Sequence, residues 1–121
     1  HCISSAASDV YKRQEEVYDV ICSDDREINN RNNKCKETKA SVNFENCSFD
    51  ENYGSDRLEV IWTDTEYTPD QNTFYYARAI ENPTCRWSTY DSIRIDEKPA
   101  KNYPKIMREM AWSSPIWVKN N

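Results

Sequence analysis

Residues 74–94 read FYYARAIENPTCRWSTYDSIR, and this stretch decides which fold the chain adopts. Its first half, residues 73–81 (TFYYARAIE), is aromatic and apolar enough to favour a pleated, half-buried surface, so it reads as a strand. Asn82 and Pro83 end that strand, because proline has no N–H to give to a ladder. Beyond Cys85, residues 88–95 have room for about two helical turns. Ser88 is expected to cap them, and Asp91 to sit in the first turn, where the helix dipole favours a negative charge.

Outward from this stretch, other strand signals appear on its N-terminal side. Residues 17–22 (VYDVIC) are β-branched and aromatic, and residues 40–47 (ASVNFENC) set Val42 and Phe44 between polar neighbours. The clearest alternation is at residues 57–63 (RLEVIWT), with Leu58, Val60 and Trp62 on one side and Glu59 and Ile61 on the other. A nine-residue connector, residues 64–72, would make this strand an antiparallel neighbour of the next. Gly54, the single glycine, marks a turn where positive φ costs least. On the C-terminal side, Pro104 suits the first position of a short helix reaching about Met110. The closing AWSSPIWV, residues 111–118, needs something to dock against. The expected class is mainly β: an antiparallel sheet or partial β-sandwich with one or two short helices near the C-terminus.

Composition narrows the functions. A length of 121 residues allows one modest domain, and 12% aromatic residues favour sheets over helix bundles. No apolar run approaches the roughly 20 residues of a spanning helix. Net charge is −5, which repels a phosphate backbone, so nucleic acid is not an expected partner.

Residues 1–14 (HCISSAASDVYKRQ) have no helical or strand periodicity and no signal-peptide core. The string resembles translated sequencing-adapter read-through, and the alternative is a disordered native N-terminus. Either reading removes His1 and Cys2 from function and leaves residues 15–121, with 14 basic and 20 acidic side chains, as the informative chain. That remainder starts inside a strand at Glu15, so truncation on the N-terminal side is expected.

Four cysteines remain: Cys22, Cys35, Cys47 and Cys85. Three pairings are open to them. Cys22 with Cys35 and Cys47 with Cys85 is preferred, since the first bridge closes the Asn-rich loop and the second ties residue 47 to the end of the 73–81 strand. Free thiols of a cytosolic protein are the competing reading. There is no CxxC pair for zinc, no GxSxG elbow and no phosphate cradle. Asp64, Glu66 and Asp70 offer oxygen ligands, but without EF-hand spacing they read as a solvated acidic turn. Asn46-Cys47-Ser48 matches the N-glycosylation pattern. Arg86, Trp87 and Arg94 form the single cluster with ligand-binding character, because arginine forks hold anions and tryptophan offers a stacking face. No catalytic residue and no cofactor is expected in this chain.

The strings ENPTCRWSTYD and AWSSPIW, with DTEYTPDQNTFYYARAI before them, resemble the C-terminal end of bacterial proteins of the domain of unknown function family 3604. The VYDVIC and CKETKASVNFENCS segments fit its cysteine-containing branch. The resemblance implies a non-catalytic C-terminal portion of an exported, periplasmic or extracellular protein. Its N-terminal catalytic domain would be a PHP-like metal-dependent phosphoesterase holding the divalent metal. That domain would be the chain's own partner. The alternative is a disulfide-stapled carbohydrate- or ligand-binding β module that uses exposed Trp62, Trp87 or Trp112. A third reading is a small cytosolic interaction domain.

Overall fold

A computed structural model describes residues 2–9, 14–98 and 101–119. The chain is mainly β and antiparallel, with a single short helix among the described residues. Its main sheet has five strands: β1 (Cys2–Asp9), β2 (Gln14–Cys22), β5 (Thr73–Ile80), β8 (Met110–Trp112) and β9 (Ile116–Val118). Two small ribbons flank it: β3 (Ile28–Asn29) with β4 (Lys34–Cys35), and β6 (Thr84–Cys85) with β7 (Ile106–Met107). The helix α1 spans Trp87–Arg94.

The strand predicted at residues 73–81 is β5, and both its edges are occupied. β1 pairs with all of it, from Cys2 opposite Ile80 to Asp9 opposite Thr73. On the other edge β8 covers residues 78–80 and β9 covers residues 73–75. Ser113 fills the gap: its N–H donates to the Ala77 carbonyl at 2.9 Å, and its Oγ accepts the Ala77 N–H at 2.9 Å. Pro115 has no N–H, so the ladder has to break between β8 and β9. One serine therefore satisfies the β5 residue that the proline leaves exposed. The AWSSPIWV tail is docked through its backbone.

Residues 2–9 carry no strand periodicity, yet as β1 they lie between β2 and β5. A ladder requires only N–H and C=O groups, so the pattern of side chains does not veto it.

Three sequence expectations are corrected. Residues 57–63 form no strand: they have no ladder bonds, with Leu58 and Trp62 half-buried and Ile61 97% exposed, and the segment reaches the sheet through Trp62 against Tyr18 and Tyr75. Their alternation is real, but β5 has no free edge to offer them. Residues 40–47 fold into turns with one isolated bridge, Val42 to Phe49, instead of a strand. The helix expected from Pro104 is absent, because residues 106–107 and 110–112 pair with β6 and β5 instead.

Two disulfides join Cys22 to Cys35 and Cys47 to Cys85, with Cα–Cα distances of 6.0 and 5.7 Å. The first works with Asp19, whose carboxylate accepts the Cys35 N–H at 2.8 Å while its own N–H donates to Asn33 O. Together they pin the Asn-rich loop to β2. The second bridge ties the turn around Cys47 to β6 and buries both cysteines. Asn46 Oδ1 accepts the Ser48 N–H at 2.9 Å, so the glycosylation pattern is folded into that turn. Gly54 does take positive φ, 104°, and its N–H donates to Asp24 at 2.9 Å. That bond, then one from the Ser23 hydroxyl, holds the Asp24 carboxyl below its usual range.

Bridge removal should scale with loop length. Cys47→Ala with Cys85→Ala opens a separation of 38 residues and should cost about 4 kcal/mol, against about 3 for Cys22→Ala with Cys35→Ala at a separation of 13. Urea midpoints of the two double variants check the order; a larger loss for the shorter loop would contradict it. Deleting residues 1–13 exposes one edge each of β2 and β5 and should abolish the cooperative transition, whereas an unchanged midpoint would show that β1 contributes little.

Candidate functional site

Side chains alternate across β5, so its two faces differ. Phe74, Tyr76 and Arg78 lie on one face, together with their cross-strand neighbours Trp117 and Trp112. Phe74 packs on the Trp117 ring at 4.8 Å between centroids. Tyr75 lies on the opposite face beside Ile116 and close to Val118.

That opposite face carries an open groove. The segment holding Trp62, Asp64 and Tyr67 lines it together with Tyr75, Ile116 and Val118, and its volume is 460 Å³. Trp62 stands edge-on to Tyr75, with centroids 6.3 Å apart and planes at 68°, and leans on Tyr18 at 5.5 Å. The tyrosine hydroxyls fix the segment. Tyr75 donates to Asp64 at 2.7 Å, and Tyr18 donates to Glu16 and, at 3.1 Å, to Glu66. Asp64 Oδ1 also accepts the Glu66 N–H at 2.9 Å, which closes the turn. Burial, and then the Asp64 bond, raises the Tyr75 pKa far above the usual value. The Glu16 bond comes first in raising Tyr18.

The sequence nominated other residues. Arg86, Trp87 and Arg94 do not converge: Arg86 precedes α1 and Arg94 ends it, about 12 Å further along the axis. The Arg86 guanidinium lies 5.3 Å from the Tyr103 ring centroid, Arg94 makes an exposed pair with Asp91 at 3.9 Å, and Trp87 is 67% exposed. None of the three lines the groove. Ser88 is no cap and Asp91 no first-turn acid: Arg86 stands at the N-cap without a side-chain bond, and the first turn contains no acid. Thr89 closes that end by donating to the Lys105 carbonyl at 2.7 Å.

Of the acids considered as oxygen ligands, Asp64 and Glu66 hold tyrosines, and among the described residues no group of three acids, cysteines or histidines is placed for a metal. Tyr18, Tyr67 and Tyr75 were missed at the site. Tyr75 was detectable from β5 alternation, but which face Trp62 would cover was not. No helix among the described residues is long and apolar enough to cross a membrane.

The family model described as Protein of unknown function (DUF3604) matches residues 3–120, and the chain belongs to that family. The match begins inside the segment set apart on sequence grounds. No curated protein and no solved structure matches the chain.

The tyrosine–carboxylate bonds have a pH signature. A raised tyrosine pKa stabilises the fold fully below the unfolded value of about 10 and is lost as pH rises through the folded value. Absorbance titration should show Tyr18, Tyr75 and Tyr76 ionising after the exposed tyrosines, with stability falling above pH ~10. Tyr75→Phe should remove one delayed step and cost about 1 kcal/mol. A single step for all eight tyrosines would contradict the assignment.

Proposed function

We propose that this member of the DUF3604 family is a non-catalytic, β-rich accessory region of a larger exported hydrolase. It docks on a PHP-like, metal-dependent phosphoesterase domain of its own protein, and any divalent metal belongs to that domain. One observation supports this above the others: α1 is inside out. Its buried residues are Thr89 and Ser92, while Trp87, Tyr90 and Ile93 face outward. A helix normally turns its apolar stripe to a core. An outward stripe is the expected sign of a covering surface supplied from elsewhere.

The rest of the chain agrees. Trp112 and Trp117 are each 59% exposed. The Nε of Arg78, on the Trp112 face, is buried without a hydrogen-bond partner among the described residues, and a carboxylate from a covering domain would satisfy it. Two disulfides fit an oxidising compartment, periplasmic or extracellular.

A ligand-binding module is the second reading. It is favoured by Trp112 and Trp117 sharing one sheet face, about 13 Å apart along β5 by strand rise, a spacing suited to an extended oligosaccharide. It leaves α1 unexplained.

Hydroxyl-radical footprinting of the chain alone and within its full-length parent tests the docking. Trp87, Trp112 and Trp117 should react at least several-fold more slowly in the parent. Equal rates would overturn the reading, as would metal-dependent phosphodiesterase turnover by the chain alone.

A further inference from the structure

We propose that the groove between the segment holding Trp62 and the sheet binds a small organic cation of the quaternary-ammonium type. It lies on the Tyr75 face, away from the Trp112 and Trp117 face, so this inference does not depend on the docking reading.

Three features identify the ligand chemistry. The walls are aromatic: Trp62 and Tyr75, edge to face with planes at 68°, and the partly exposed Tyr67 all line the groove. Such surfaces attract cations through their quadrupoles. The charge at the site is negative: Asp64 lines the groove, Glu66 follows in the same turn, and no lysine or arginine lines it. Neither acid makes an ion pair among the described residues. The Tyr75 hydroxyl and the Asp64 carboxylate are bonded to each other. Tyr75 donates to Asp64 Oδ2, and Asp64 Oδ1 accepts a backbone N–H, so on the acidic side the groove offers mainly charge, with the Thr63 and Tyr67 hydroxyls elsewhere on its lining. A cation needs charge and aromatic faces. The volume of 460 Å³ admits a trimethylammonium group with a short tail.

Isothermal titration of the intact chain with choline, with its uncharged isostere 3,3-dimethyl-1-butanol and with maltose tests this. Choline should bind saturably in the millimolar range, about tenfold more tightly than the isostere. Asp64→Asn retains an acceptor for Tyr75 and should weaken choline several-fold without weakening the isostere. Tyr67→Ala, partly exposed and outside the hydrogen-bond network, should weaken choline while leaving the circular dichroism unchanged. Equal binding of choline and isostere, saturable binding of maltose in preference to choline, or no saturation by choline at all would each overturn the proposal.

Discussion

Hydrogen bonding along both edges of β5 is the constraint on which the rest of the structure depends. β1 satisfies one edge over its whole length. The other edge is shared by β8 and β9, with Ser113 bridging the residue between them. A strand inside a sheet forfeits about 1 kcal/mol for each ladder bond it leaves unmade, and more where the group is shielded from water. Once both edges are taken, residues 57–63 cannot pair with β5, however regular their alternation. They reach one face through side chains, and that arrangement creates the groove.

The same strand separates two surfaces of different character. On the Tyr75 side, tyrosine–carboxylate bonds and the Tyr18–Trp62–Tyr75 ring contacts hold a segment of the chain against the sheet. On the Phe74 side, Trp112 and Trp117 face outward. Just past β5, the Cys47–Cys85 bridge fixes the start of α1, and the bond from Thr89 to Lys105 turns the polar side of that helix inward. The exposed apolar side chains therefore remain available to another surface.

How legible the site was depended on the range of each interaction. Trp62 and the acids Asp64 and Glu66 stood out in the sequence, but as a stacking face and an acidic turn, separately. What joins them is Tyr75, 11 residues from Asp64, and Tyr18, 48 residues from Glu66. Arg86, Trp87 and Arg94 were attractive because they are close in sequence, yet the rise of a helix carries its two ends apart. Nearness along the chain is a poor guide where α1 lies between.

By itself the sequence determined what local chemistry can determine. β5 and its stop at Asn82 and Pro83 and the positive φ at Gly54 follow from residues within a few positions of each other, and the mainly β class from the run of such local signals. Only the tertiary structure decided which candidate strands found an edge. The alternating 57–63 segment did not, while residues 2–9, with no pattern at all, did. The physical reason is that a ladder is a competition among backbones for a limited number of edges. Side-chain periodicity records which face a segment can bury, but it does not say whether a neighbouring strand is free to receive it.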